Sequence, residues 1–254
     1  MLRSRITPCL LVHKKGLVKT VEFGNPKYVG DPINAVKIFN EKEVDELIVI
    51  DIDATVEGRG PDFNLIKNLA IECRMPFCYG GGITTVDQAK KIISLGVEKV
   101  AISSAALNNP QLLREIGNAI GKQSLVVVLD VKKKGLFGNY ELYTHNGKKS
   151  SKYKLKEYLT ILNEIGIGEI VVNSIDEDGK MEGYDFKLCD LVRGLTSMPM
   201  TIIGGAGDLD DIKNAISRYK TIGVSAGSLF VFKGKYKAVL INYPDRSTRN
   251  EMYY

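Results

Sequence analysis

An internal repeat constrains this chain more than any other feature. Residues 9–16 read CLLVHKKG and residues 128–135 read VLDVKKKG, two copies of an apolar strand followed by basic or imidazole side chains and a glycine. VIDIDAT (49–55) is echoed by NSIDEDG (173–179), YGGGI (79–83) by IGGAG (203–207), and VAISSAA (100–106) by VSAGSLF (224–230). The copies of each motif lie roughly half the chain apart, the signature of a duplicated structural unit. Four units, duplicated, predict an eightfold arrangement with pseudo-twofold symmetry.

Short Val- and Ile-rich runs alternate with longer helical patterns. Strands are expected at 5–12, 46–51, 76–80, 98–102, 124–130, 168–173, 199–203 and 221–225, with seven clear helices between them. Runs such as SLVVVLD are apolar without alternation, as in strands buried on both faces. Asp31 before Pro32, and Asn109 before Pro110, read as helix starts. Gly96 reads as a helix stop. Alternating βα units imply a parallel sheet, and eight of them imply an α/β fold of the (βα)8 TIM-barrel type with an internal half-barrel repeat. A doubly wound open sheet is the rival, but no G-x-G-x-x-G follows the first strand.

Composition excludes several function classes. The net charge of +5 is mild and the basic residues are scattered, so nucleic acid is not an expected partner. An anionic small substrate suits such a surface better. The four cysteines form no C-x-x-C pair, and Cys9 and Cys78 sit in apolar runs as small core residues. No disulfide framework is expected. His13 and His145 lack metal-ligand spacing, so no metal is expected, nor any cofactor. The N-terminus lacks a signal-peptide core. No apolar run approaches the roughly 20 residues of a membrane helix. A cytoplasmic protein with no membrane contact is expected.

In a barrel of this kind the active site lies at the C-terminal ends of the strands, where the glycine-rich echoes fall. Gly-rich turns at helix starts bind phosphate through backbone N–H groups. One phosphate site is expected at Gly81, Gly82, Ser103 and Ser104. A second is expected at Asp178, Gly179, Gly205, Gly207, Ala226, Gly227 and Ser228. The bland alternative is that these glycines only make tight turns. Between the two sites lie strand-end carboxylates: Asp51, Asp130, Asp176 and Asp178. Acid–base chemistry on a ligand with a phosphate at each end would use opposed acids from the first and fifth strands. Asp130 is available for this; the equivalent position holds Leu11. A cap or salt bridge to Lys132 or Lys19 is the alternative role for Asp130. At the other end of the barrel Arg5, Glu46, Lys99 and Glu169 start their strands. Such charges ordinarily serve stability, but a closed alternating ring would plug the barrel axis and could open as a gate.

With these residues in hand, the sequence resembles the HisF family, the cyclase subunit of imidazole glycerol phosphate synthase. The resemblance runs from residue 1 to about 232 on RITPCL, DELIVIDIDAT, YGGGI, GEIVVNSIDEDGKMEGYD, IIGGAG and AGSLFVF. It implies a single barrel over 1–232 that binds a phosphorylated small molecule. It also implies a HisH-like glutaminase partner at the barrel bottom, whose ammonia passes up the axis. The family's catalytic aspartates fall on position 11 and Asp130, its gate on Arg5, Glu46, Lys99 and Glu169, and a lysine of its mobile first loop on Lys19. The chain departs from the family at Leu11 and at Ser103-Ser104, where Asn-Thr is usual. It departs again over 233–254, an atypical C-terminal tail. The pattern resembles a HisF-like branch found with surface-polysaccharide genes, which implies a sugar amidotransferase as a further partner and an acetamidino sugar as the end of the ammonia's route. The alternatives are a working cyclase of histidine biosynthesis, with Asp130 sufficient or Asp51 substituting; a non-catalytic scaffold activating the glutaminase; and a phosphosugar isomerase, against which Leu11 counts.

Overall fold

The computed structural model of the protein describes residues 3–135 and 138–253. The first half runs β1 (Arg5–His13), β2 (Gly16–Val21), β3 (Gly24–Gly30), α1 (Pro32–Glu41), β4 (Leu47–Asp51), α2 (Phe63–Glu72), β5 (Phe77–Gly80), α3 (Val86–Ser94), β6 (Lys99–Ile102), α4 (Ser104–Asn108) and α5 (Gln111–Ile120). The second runs β7 (Leu125–Lys134), β8 (Asn139–Thr144), β9 (Lys149–Lys154), α6 (Leu155–Ile165), β10 (Glu169–Ser174), α7 (Phe186–Leu195), β11 (Met200–Ile203), α8 (Leu209–Tyr219), β12 (Gly223–Ala226) and α9 (Ser228–Val231). Beyond it lie β13 (Phe232–Lys233), β14 (Ala238–Val239) and α10 (Arg246–Tyr253).

The strands β1, β4, β5, β6, β7, β10, β11 and β12 pair in that order, each neighbour parallel, and β12 pairs back with β1. The eightfold (βα)8 barrel expected from the repeat is therefore closed. Continuous apolar runs form these strands because both faces are covered. Their outward residues, such as Ile6, Leu10 and Val49, pack under the helices in one large core. Their inward residues, Cys9, Ile48, Cys78, Ala101, Val126 and Val171, form a second apolar cluster inside the barrel. Each large side chain so buried stabilises the fold by about 1.5–3 kcal/mol.

Helix starts follow the sequence signals. The Asp31 carboxylate accepts from Asn34 N at 2.9 Å ahead of Pro32. Asn109 accepts from Gln111 N at 3.2 Å, although Pro110 is the residue that opens α5. Gly96 ends the α3 turn at φ +99°, a conformation costly for other residues.

Two antiparallel hairpins were not foreseen from the sequence. β1 runs on into β2–β3, and β7 runs on into β8–β9, so the repeat includes an arm over the barrel mouth in each half. The first arm rests on the loop after β10. Glu22 N donates to Asp178 O at 3.0 Å, while Thr20 Oγ1 and Phe23 N donate to Asp178 Oδ2 at 2.8 and 3.2 Å. Gly179 sits at φ +72° with its missing Cβ position 2.0 Å from Thr20 O, so only glycine fits beneath this arm. The second arm is tied down by Asn146 Nδ2 donating to Ile52 O at 2.9 Å. At its tip, a Cβ on Gly147 would touch Phe23 of the first arm and Ile175, both at 3.5 Å. The arms therefore meet.

The segment after β12 folds back on the barrel. α10 packs beside α8, burying Arg249 and Met252. Among the described residues no helix is long and apolar enough to cross a membrane.

Candidate functional site

At the N-terminal ends of the strands the four charges come together. Arg5 Nη2 donates to Glu169 Oε1 at 2.8 Å, and Lys99 Nζ donates to Glu46 Oε1 at 2.7 Å and to Glu169 Oε2 at 2.9 Å. Arg5 Nε lies 2.8 Å from Glu46 Oε2. The ion pairs close a ring. Thr201 Oγ1 adds a hydrogen bond to Glu169. Burial pushes the Glu169 carboxyl upward, but Arg5 and Lys99 outweigh it and hold the group below the usual glutamate range. Burial likewise opposes the Lys99 charge, and the two glutamates more than restore it. Above the ring stands the inner apolar cluster, with Leu11, Ile50, Val128 and Ile203 against its upper side.

The mouth holds two adjoining cavities. The larger is lined by Gly81, Gly82, Ser103, Ser104 and Asp130, with His145 and Asn146 reaching in from the second arm. The smaller is lined by Lys19, Asp178, Gly179, Gly205, Ala226, Gly227 and Ser228. Both are walled by Cys9, Leu11, Thr20 and Ile203. The two groups of residues expected to cradle phosphate are thus gathered at two places in one mouth. Gly207 does not join the second group. Its N–H donates to Asp211 Oδ2 at 2.8 Å, and its missing Cβ position is 2.2 Å from Met181 O, so it builds the start of α8 instead. The Asp178 carboxylate faces the first arm through Thr20 and Phe23. As an anion it suits holding that arm better than holding phosphate. Lys19 Nζ donates to Cys9 O beside Gly227 and supplies the cation of the smaller cavity. Burial pushes its ammonium below the usual lysine range, and the Asp178 charge opposes that shift.

Asp130 is half-buried midway along β7, where the strand leaves the barrel for the second arm, and takes neither alternative role. It is not paired with Lys132 or Lys19. Asn173 Nδ2 donates to its Oδ1 at 2.9 Å and Ser103 Oγ to its Oδ2 at 3.1 Å. Burial pushes its pKa up to about 6, these two donors acting against the shift. A carboxyl poised near neutrality and facing a cavity suits proton transfer. Ser103 therefore spends its hydroxyl on Asp130. Ser104 Oγ accepts from His145 N at 3.3 Å, tying the second arm to the first phosphate cradle.

The other carboxylates are committed. Asp51 takes a bidentate fork from Arg59, Nη1 to Oδ2 at 2.8 Å and Nη2 to Oδ1 at 3.0 Å, and also accepts from Asp53 N and Ala54 N. Three of these donors converge on Oδ1 and Arg59 alone meets Oδ2, so the carboxylate is fixed in place by the Arg59 fork and the two backbone N–H groups. Asp176 accepts from Lys133 N at 2.7 Å. Sequence reasoning missed Arg59 and Asn173. Arg59 lies in the loop VEGRG, eight residues past Asp51, and only the fold brings it back. Asn173 was legible in principle, since it opens one of the echoes, but the repeat was aligned one residue out. The ladder sets Asn173 opposite Asp130 and Ile50 opposite Leu11, so Ile50 and not Val49 is the equivalent of Asn173.

A family described as "Histidine biosynthesis protein" matches residues 5–237. The chain is 54% identical over 99% of its length to the "Putative imidazole glycerol phosphate synthase subunit hisF3" of Vibrio vulnificus (strain YJ016), covering 96% of that protein. It is 52% identical, over the whole of both chains, to the "Putative imidazole glycerol phosphate synthase subunit HisF" of Leptospira interrogans. It is 35% identical to the "Imidazole glycerol phosphate synthase subunit HisF" of Dictyoglomus thermophilum (strain ATCC 35947 / DSM 3960 / H-6-12), with 91% of each chain covered.

Proposed function

The chain belongs to the histidine biosynthesis protein family, as one of its HisF members, and from that premise we propose that it is the synthase-type barrel of a glutamine amidotransferase complex. A HisH-like glutaminase docks at the barrel bottom and releases ammonia against the four-charge ring. The ammonia climbs the apolar interior and reaches a phosphorylated ligand in the mouth. The closed ring with an apolar lumen above it supports this route: a neutral molecule crosses such a lumen at little cost, whereas an ion loses its hydration there.

The observation that carries the choice of acceptor is Leu11. It faces the mouth at the position equivalent to Asp130, with Ile50 where the other half has Asn173. Cyclisation to an imidazole moves protons at two places, and each positioned acid or base typically contributes about 10²–10⁴-fold. A leucine contributes none of this. The acceptor that the family resemblance then leaves is a sugar of a surface polysaccharide: a separate amidotransferase converts its acetamido group to an acetamidino group, the delivered ammonia replacing the carbonyl oxygen, which leaves as water.

Asp130 favours a second reading. A carboxyl with a pKa near 6 is a competent acid–base group by itself, and a working cyclase with one acid would need nothing more. The experiment is turnover of the bisphosphorylated ribonucleotide precursor by the purified chain in excess ammonium at alkaline pH, followed by absorbance. No loss of precursor by a folded sample is expected. Rapid loss overturns the sugar reading in favour of the cyclase.

A further inference from the structure

The four-charge ring has one weak edge, and a distant segment of the chain is wedged behind it. Three edges carry aligned hydrogen bonds, from Arg5 to Glu169 and from Lys99 to both glutamates. On the fourth, Arg5 Nε is 2.8 Å from Glu46 Oε2 but lacks hydrogen-bond alignment, and it has no hydrogen-bond partner among the described residues. That edge spans the seam between β1 and β4. The parallel ladder of this seam begins only at Cys9 opposite Ile48, so Arg5 and Glu46 stand below its last backbone pairing.

The gap below the ladder is filled from the C-terminus. Tyr243 OH donates to Ile6 O at 2.8 Å and accepts from Asp45 N at 3.2 Å, which satisfies both capacities of the phenol. Ile6 N donates to Asp45 Oδ2 at 3.0 Å, and Tyr253 OH donates to the same carboxylate. One hydroxyl thus bridges the two strands at the residues next in sequence to Arg5 and Glu46. The Tyr243 ring is fixed in turn by Phe230, with centroids 5.3 Å apart, and by the Arg249 guanidinium 5.0 Å from its centroid. Burial raises the phenol's pKa and keeps it a neutral donor.

We infer that Tyr243 is the positioning residue of the ring: its hydroxyl sets the width of the β1–β4 seam at which Arg5 meets Glu46, and residues 243–253 are a strut for that edge. Without the hydroxyl the strands part where the ring is least secured. The inference concerns the geometry of the ring and stands whether or not ammonia passes through it.

The test uses the full chain and the variant Tyr243→Phe, which keeps the aromatic packing. Lys99 sits across the ring from Arg5 and touches no part of the strut, so its side-chain ammonium is an independent reporter. Held between two carboxylates, it is expected to give a slowly exchanging ¹⁵N signal in the native chain that is lost or broadened in Tyr243→Phe. Asn242→Ala, which removes bonds only to carbonyls of residues 229–240, leaves it unchanged. A urea-unfolding cycle with Glu46→Gln gives the second readout. Tyr243→Phe lowers the folding constant roughly two- to tenfold in the native background, as for one net hydrogen bond, and distinctly less where the ring is already broken. An unchanged Lys99 signal with equal costs in both backgrounds overturns the inference. Should Tyr243→Phe not fold, Tyr253→Phe, which unloads Asp45, is read by the same two measurements.

Discussion

Leu11 and Asp130 face one cavity from equivalent ladder positions in the two halves of the barrel, Leu11 in register with Ile50 and Asp130 with Asn173. Two polar residues in one half stand where two apolar residues stand in the other. The two halves share one frame, with a hydrogen-bonded polar pair at these positions in one and apolar packing in the other.

Restoring the acid tests what that replacement did. Leu11→Asp is expected to raise ammonium-driven turnover of the bisphosphorylated precursor by about 10²-fold or more, the typical worth of one acid–base group. The gain should vanish in the background of Asp130→Asn. The new carboxyl lands against apolar neighbours and costs about 1–3 kcal/mol of stability, read as a shift in the urea midpoint.

Asp130 makes stability depend on pH in an unusual sense. Its folded pKa of about 6 lies above the ordinary value of 3.8, so between those values the folded state holds a proton that the unfolded state has released. Its contribution is neutral below pH 3.8 and becomes increasingly destabilising as pH rises to about 6, then constant. Asp130→Asn is therefore expected to be more stable than the native chain at pH 7, on the order of 2 kcal/mol, with no advantage at pH 3.5. Thermal or urea unfolding at the two pH values decides it.

The ring behaves in the opposite way. Glu169 is held below, and Lys99 above, their ordinary values of 4.5 and 10.5. Their stabilisation is present between those values and is lost as pH falls through the lowered glutamate pKa or rises through the raised lysine pKa. Lys99→Met leaves two buried glutamates with one cation. It is expected to cost about 3–5 kcal/mol near neutrality, because one partner of a buried pair is removed. The loss shrinks at acidic pH as Glu169 protonates, which unfolding midpoints at pH 4 and pH 7 would reveal.

The smaller cavity depends on the space at Gly227. A Cβ there would lie 2.6 Å from Lys19 Nζ, the far end of a buried side chain, and 3.3 Å from Cys9 O, and the backbone conformation suits alanine. Gly227→Ala is expected to fold with little change in Tm but to displace the ammonium. Affinity for inorganic phosphate, measured by calorimetry, should fall roughly tenfold, the equivalent of one charge-assisted hydrogen bond.

The barrel was legible because its strands are buried on both faces and read as unbroken apolar runs. The same runs placed Arg5, Glu46, Lys99 and Glu169 at strand starts, where the ring forms. The arms were not legible: LVKTV and NYELYT are short, carry polar residues within them and are flanked by glycine and polar turn residues, and they resemble loop sequence until the partner strands are known. Arg59 and Tyr243 were missed for a common reason. Their partners, Asp51 and the Ile6–Asp45 pair, are chosen by chain folding rather than by any local spacing. Gly207 was placed in the cradle as part of the glycine-rich run IGGAG, but its N–H is spent on Asp211.

The meeting of the two arms at Phe23 and Gly147 has a kinetic consequence. A ligand spanning both cavities lies beneath arms whose tips approach each other, and its entry is expected to require their separation. The observed binding rate will climb with ligand concentration only until it reaches the arms' own opening frequency, and then level off. That plateau is a property of the empty protein, the same for every ligand that fits, and crowding the contact with Gly147→Ala, whose methyl would meet Phe23 and Ile175 at 3.5 Å, would move it.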